Sequence, residues 1–299
     1  MAKISDYLRL CRPSQWYKNL LIPAVGIFSF QLFNLMIYSS LIIGFILACG
    51  MSAANYIIND IMDLAEDRLH PKKKSRPIAS GAISKRNATV FGAILFLISL
   101  TSSFLLTFWF GIIMSVFFLT SQFYTFVLKK VIFVDVLTIS LNFILRGIGG
   151  LVLVNSFPTD DLIWGFWAVF ILALFLALSK RRIDLQLLEQ ENGVHIRKSA
   201  IYPKNLLDQL TILISGIFLM GYYLYVLLTE TTGGHNGYLL LTIPVATYLM
   251  FRYLFLLHSI EKSPLTAKNP LRDLGMIIGG ITVFILFLVI RYLESYGLI

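Results

Sequence analysis

Acids and then bases crowd one short stretch of this chain. It reads Asn59-Asp60-Ile-Met-Asp63-Leu-Ala-Glu66-Asp67, and Lys72-Lys73-Lys74-Ser-Arg76 follows a few residues later. On a continuous helix successive residues are 100° apart, so Asn59, Asp63, Asp67 and Asp60 fall at about 0°, 40°, 80° and 100° and share one face. Carboxylates this dense repel one another unless a cation neutralises them, and hard oxygen donors suit Mg²⁺. Mg²⁺ held by one or two carboxylates completes its shell with phosphate oxygens, and the bases from Lys72 to Arg76 supply direct phosphate contacts, Arg76 as a two-pronged donor. Acids for a metal followed by bases for phosphate is the composition of a diphosphate site. An orientation signal at a solvated helix end accounts for the bases but not for the acids.

Two further sets of polar residues have spacing worth reading. Ser179-Lys180-Arg181-Arg182-Ile-Asp184 precedes Glu189, Glu191 and His195. Lys180 and Asp184 are one helical turn apart, so surface ion pairing is the plain alternative to a second half-site facing the first, with Asp184 near metal and Lys180 and Arg181 on phosphate. The isolated His195 reads as a solvated residue. Asp135, Asn142 and Arg146 fall within about 40° of one helix face, with Arg146 about 16 Å deeper than Asp135. Charges at membrane depth face a bundle interior or a water-filled cavity and mark function by default, although interhelical pairing also uses them.

The elements that must carry these residues follow from the composition. Of 299 residues, 57% are hydrophobic and only 14% are charged. A soluble domain carries about 25% charged residues, so this chain lacks the polar surface to cover itself in water and belongs in a bilayer. A spanning helix needs about 20 mostly apolar residues. Leu20–Asn59 and Asn87–Leu128 run for 40 and 42 residues without a charge, each enough for a helical hairpin. Five more candidates lie at 133–154, 162–179, 210–228, 237–257 and 274–290, giving an all-α membrane protein of about nine transmembrane helices over a single domain, 1–299. Polar loops are expected near 59–87 and 180–207. With nine spans, 23 of the 25 Lys and Arg fall on one side, which the positive-inside rule makes cytoplasmic together with the N-terminus. Most of the net charge of +9 is therefore topological, and nucleic acid is not implied. Cys11 and Cys49 are too few for a disulfide framework, and the first 19 residues carry five charges where a cleavable signal needs an apolar core.

At this point a resemblance is visible. Asn59-Asp60-x-x-Asp63-x-x-x-Asp67 after the second span resembles the first signature of the UbiA superfamily of intramembrane prenyltransferases. Arg12-Pro13-Ser-Gln15-Trp16-Tyr-Lys18-Asn19, Asp67-Arg68-Leu-His70-Pro71-Lys72-Lys73, Arg76-Pro77-Ile-Ala-Ser-Gly81, Leu145-Arg146-Gly-Ile-Gly-Gly150, Ser179-Lys180-Arg181-Arg182 and Tyr202-Pro203 through Asp208-Gln209 resemble, in order, the decaprenyl-phosphate phosphoribosyltransferase branch. Aromatic prenyltransferases of the superfamily carry a second D-x-x-x-D motif after the sixth span. Here only Asp184 and then Glu189 stand in that place, and which of the two serves a second site stays open.

The resemblance implies a Mg²⁺-dependent transfer of a 5-phosphoribosyl group from phosphoribosyl diphosphate to a polyprenyl (decaprenyl-type) phosphate, with release of diphosphate. Asp60, Asp63 and Asp67 would hold Mg²⁺, Asn59 would orient ligands, and Lys18, Lys72, Arg76, Lys180 and Arg181 would contact phosphates. Asp184 would bind metal or a ribose hydroxyl, and Arg146 an anionic group inside the chamber. No general base is needed, because a polyprenyl phosphate is already an anionic nucleophile. The expected partners are these two substrates and membrane lipids, at a multi-pass site in the cell membrane, with oligomeric state left open. Two alternatives stand beside this reading: prenyl transfer from a polyprenyl diphosphate to an aromatic or other small acceptor, and transport of anionic metabolites. A transporter has no use for an acid-rich metal loop at one membrane face.

Overall fold

The computed structural model describes residues 3–29, 34–69, 73–155, 160–190, 202–232, 237–259, 272–295 and 297–298. Among them every regular element is helical. In chain order these are α1 (Ile4–Leu10), a 3₁₀ segment (Pro13–Leu20), α2 (Leu21–Phe28), α3 (Leu35–Met62), α4 (Leu64–Leu69), α5 (Lys85–Leu106), α6 (Phe108–Phe126), α7 (Val134–Val154), α8 (Asp160–Gln190), α9 (Lys204–Thr232), α10 (Thr242–His258) and α11 (Leu274–Ser295), with short 3₁₀ turns between several of them. Among the described residues eight helices are long and apolar enough to cross a membrane. The remaining span candidate starts as the 3₁₀ segment and continues as the eight-residue α2, with Pro13 and Pro23 at first-turn positions where a missing N–H costs nothing.

The hairpins expected from the long uncharged stretches are present. Asn34 precedes α3, and Thr107 separates α5 from α6, its Oγ1 accepting from the Phe110 N–H at 3.1 Å. Ser84 caps α5 in the same way through the Asn87 N–H at 3.2 Å. The sixth span differs from expectation. Helix α8 runs on through Gln190, so Lys180, Arg181 and Asp184 lie on a helix and not in a loop. No Gly or Pro interrupts 180–190, and the first breaker is Gly193.

The chain divides into two compact units, the first over Met1–Phe166 and the second over Trp167–Arg197 and Ile201–Ile299. In the first, α2, α3, α6 and α7 enclose a core that includes Ile22, Leu41, Met51, Phe110, Met114 and Phe117. Helix α7 approaches α2 closely because Gly150 has no side chain; a Cβ there would lie 2.5 Å from the Ile22 carbonyl oxygen. A smaller cluster of Leu10, Ile57, Ile78, Ile83 and Ala88 anchors the polar segment between α4 and α5 against α1 and α3. The second unit has its own core of Phe175, Leu219, Met250 and Tyr253. There Gly221 leaves room for the Trp167 ring, which a Cβ would meet at 1.8 Å.

Candidate active site

The acidic stretch of the first unit is not one uninterrupted helix. Helix α3 ends at Met62, and Asp63 takes φ −88° and ψ 8° before α4 resumes at Leu64. Backbone bonds still bridge the break, from the Asp63 N–H to Asn59 O and from the Asp67 N–H to Asp63 O, each at 2.9 Å. The carboxylates nevertheless turn to different partners. Arg76 Nη1 lies 2.9 Å from Asp60 Oδ1 and 2.6 Å from Asp67 Oδ2, so these two acids converge on one nitrogen. Arg12 pairs with Asp60 from the other side, and Lys73 Nζ stands 3.7 Å from Asp67 Oδ1. Asp63 instead accepts from Lys129 Nζ at 3.1 Å and from Asn59 Nδ2 at 3.1 Å. The expected single face of three acids is therefore a buried pair, Asp60 and Asp67, and a half-buried neighbour, Asp63.

Burial makes these pairings matter. Asp60 is 3% exposed and Asp67 1%. Carboxylates so placed are tolerated only when paired and hydrogen-bonded. The constellation holds three carboxylates against Arg12, Arg76, Lys73 and Lys129, so it carries one positive charge in excess. That balance suits a polyanion. Arg12 gives up backbone comfort to take part. Its φ of 50° and ψ of 61° lie in the left-handed region, at a cost of about 1–2 kcal/mol for a residue with a side chain. The salt bridge to Asp60 and the Tyr56 ring 5.0 Å from its guanidinium offset that cost.

The donor set suits a hard divalent cation. The point where Asp60 and Asp67 converge is held by a cationic nitrogen, and Asp67 Oδ1 is buried with Lys73 Nζ at 3.7 Å but, among the described residues, no hydrogen-bond partner. Two carboxylate oxygens and a spare buried acceptor fit Mg²⁺, which takes one or two protein carboxylates and leaves the rest of its shell to phosphate and water. Among the described residues no three acidic, His or Cys side chains converge on one point.

Deeper in the first unit, Arg146 is 6% exposed. Its Nε donates to Asn19 Oδ1 at 2.7 Å and its Nη1 to the Asn142 carbonyl at 2.6 Å, with the Phe117 ring 4.5 Å from the guanidinium. Among the described residues no carboxylate pairs with it. Asn19 in turn accepts from Ser52 Oγ at 3.4 Å and donates to Cys49 Sγ at 3.2 Å. Arg146 thus ties α7 to the 3₁₀ segment that carries Lys18 and that Arg12 precedes. Lys18 itself is half-buried with its ammonium 6.0 Å from the Tyr17 ring. Asp135 is buried at the start of α7, and Asn142 accepts from Thr120 Oγ1 at 2.8 Å.

In the second unit, Lys180 is exposed, Arg181 is buried and Asp184 is half-buried. Arg182, given no role of its own by the sequence, is the structural member of that string. It pairs with Asp208 on α9 and donates to Gln186 Oε1 at 3.1 Å and to the Leu257 carbonyl of α10 at 2.7 Å. Lys72 and His195 lie outside the described residues, as does the side chain of Glu189.

Sequence reasoning passed over Arg12, Lys73 and Lys129 as individual site residues. Arg12 opens one of the strings that carry the resemblance, and Lys73 sits in the basic run. Lys129 reads as an orientation signal, and nothing local links it to an acid 66 residues away.

Comparison with known proteins agrees with the geometry. A model of the UbiA prenyltransferase family matches residues 20–271. The decaprenyl-phosphate phosphoribosyltransferase of Mycolicibacterium smegmatis is 32% identical over 203 residues, covering 66% of this chain and 62% of its own length. The protein of the same name from Corynebacterium glutamicum is 30% identical over 196 residues, or 64% and 58% of the two chains. The match thus spans less than two thirds of the length of these relatives. Among solved structures, a UbiA homolog from Archaeoglobus fulgidus bound to GPP and Mg²⁺ has a TM-score of 0.68 at 20% identity, over 96% of this chain and 99% of that one. A structure described as digeranylgeranylglyceryl phosphate synthase gives 0.65 at 19%, over 98% and 99%. At these identities the likeness is one of fold.

Proposed function

Because the chain belongs to the UbiA prenyltransferase family, we propose that this multi-pass membrane transferase moves a 5-phosphoribosyl group from phosphoribosyl diphosphate to a polyprenyl phosphate of the decaprenyl type, releasing diphosphate. The single observation that carries the reading is the Asp60–Arg76–Asp67 convergence, flanked by Arg12, Lys73 and Lys129, in a chain about 30% identical to phosphoribosyltransferases over two thirds of its length. The site opens on the cytoplasmic face of the cell membrane, where the basic loops gather.

The chemistry follows from charge. Breaking the anomeric C–O bond leaves an oxocarbenium-like carbon and a highly charged leaving group. Asp60 and Asp67, with Asp63 in support, would hold Mg²⁺, which would supply positive charge against the charge that develops on the diphosphate. Asn59 orients Asp63 through the hydrogen bond between them. Arg76 and Arg12, now engaged by the acids, turn their remaining N–H groups to phosphate, and Lys73 and Lys129 add compact positive charge. Lys18, Lys72, Lys180 and Arg181 contact the outer phosphates, the ribose 5-phosphate among them. Asp184 binds metal or a ribose hydroxyl. Arg146 holds the wall of the chamber near its anionic ligand, while the lipid tail lies along apolar helix surfaces. The acceptor phosphate is an anion at neutral pH and attacks the anomeric carbon without a protein base.

Purified protein in detergent with Mg²⁺, radiolabelled phosphoribosyl diphosphate and decaprenyl phosphate tests this directly. The expected outcome is a phosphoribosylated lipid that disappears on addition of EDTA. Turnover of a polyprenyl diphosphate with an aromatic acid, and none with the first pair, would move the assignment to prenyl transfer.

A further inference from the structure

A carboxamide pair in the first unit has no place in the chemistry above. Gln122 on α6 donates from Nε2 to Asn55 Oδ1 on α3. Asn55 is only 9% exposed, and its Nδ2 has no hydrogen-bond partner among the described residues. Among the described residues nothing donates to Gln122 Oε1. Asn55 stands one helical turn before Asn59, about 6 Å along the axis and about 40° around it, which puts it on the face that leads to Asp63. The next residue, Tyr56, lies under the Arg12 guanidinium. The pair therefore borders the acid and base cluster on its inner side.

A buried donor without a partner is costly, and lipid cannot relieve it. Such a group in a native structure calls for a ligand or an ordered water. The ligand chemistry is restricted. An isoprenoid chain at this place would leave Nδ2 unpaired, whereas a hydroxyl accepts from Nδ2 and donates to Gln122 Oε1. A sugar diphosphate has hydroxyls next to the carbon that bears the diphosphate. A prenyl diphosphate has hydrocarbon there. Resting on the transfer proposed above, we propose that Asn55 and Gln122 bind the ribose hydroxyls of the donor and so select a phosphoribosyl over an isoprenyl diphosphate. Sites that must satisfy a buried polar group reject analogues lacking the matching group far more strongly than apolar pockets reject extra bulk.

The test compares two ligands on three proteins. Binding of 5-phosphoribosyl diphosphate and of inorganic diphosphate, both with Mg²⁺, is measured by calorimetry on the full chain, on Asn55→Leu and on Gln122→Leu. The expected result is that each variant binds phosphoribosyl diphosphate about tenfold to hundredfold more weakly while its affinity for inorganic diphosphate stays within twofold. Unchanged phosphoribosyl diphosphate affinity in the variants would overturn the assignment. So would a parallel loss of both ligands in both variants, which would give the pair a purely structural role. Failure of the unsubstituted protein to bind phosphoribosyl diphosphate, with inorganic diphosphate still bound, would instead overturn the transfer reading on which this one rests.

Discussion

Lys129 Nζ donates to Asp63 Oδ1 at 3.1 Å, joining the connection between α6 and α7 to the point where α3 gives way to α4. The bond gives Asp63 a counter-charge that differs from the Arg76 clamp on the other two acids. It also fixes the direction of a carboxylate whose helix has just been interrupted. Lys130, one residue on, is exposed and pairs with no acid among the described residues.

The two lysines should therefore separate in function. Lys129→Met is expected to lower kcat/KM about tenfold to hundredfold, the range for a hydrogen bond to a charged group, while Lys130→Met stays within twofold. Assay of both variants at saturating and limiting phosphoribosyl diphosphate checks this. Equal effects of the two substitutions would return Lys129 to a role in orientation alone.

Arg76 holds two buried carboxylates together, and its removal has a consequence beyond lost activity. In Arg76→Ala, Asp60 and Asp67 keep Arg12 and Lys73 but lose the nitrogen between them, so like charges face each other in a poorly solvated place. A divalent cation should then bind more readily in the absence of substrate. The expected outcome is at least a hundredfold loss of turnover together with a larger Mg²⁺-induced rise in melting temperature than the unsubstituted protein shows. A smaller rise would mean that Arg76 supports the metal position without competing for it.

The string Lys180-Arg181-Arg182 should divide in the same manner. Arg182 is buried against Asp208, Gln186 and the Leu257 carbonyl, so Arg182→Met strands partners on α9 and α10. With Asp208 30% exposed, the loss is placed at about 2–3 kcal/mol, below that for a fully buried pair. Lys180→Met, on an exposed position, should leave thermal stability unchanged. Detergent melting curves on the two variants decide the point.

These separations mark the limit of what the sequence discloses. Uncharged runs of 40 and 42 residues reveal two helical hairpins, because lipid imposes length and apolarity on a helix before any partner is chosen. The acids and bases of the site are likewise legible as a set. Their pairing is not. Helical periodicity carried past Met62 puts Asp63 beside Asp60 and Asp67, whereas the break at Asp63 and the reach of Lys129 draw it away. The left-handed turn at Arg12 has no local signal, since neither Gly nor Asn stands there; the partner that stabilises it, Asp60, is 48 residues distant. Arg181 and Arg182 are adjacent and chemically identical, and only the tertiary position of Asp208 and Leu257 shows what Arg182 holds.

Arg146 offers the most direct view of how the deep polar residues serve the cytoplasmic ones. It is bonded to Asn19, which lies in the last turn of the 3₁₀ segment that Arg12 precedes. Cys11 lies just before that segment, buried, with its carbonyl accepting from Trp16 Nε1 at 3.1 Å. Burial pushes the Cys11 thiol above its ordinary value, so little thiolate is present at neutral pH and alkylation of the native protein should be slow. If Arg146 fixes the segment, Arg146→Met loosens it, lets water reach Cys11, brings its thiol back down toward the ordinary value and raises the thiolate fraction. Maleimide labelling at pH 7, read by mass spectrometry at Cys11 against Cys49, is expected to speed up at Cys11. Activity should fall through a higher KM for phosphoribosyl diphosphate, because Arg12 then reaches Asp60 only part of the time. Unchanged Cys11 labelling with lost activity would instead place Arg146 on an anionic ligand and not on the amino-terminal segment.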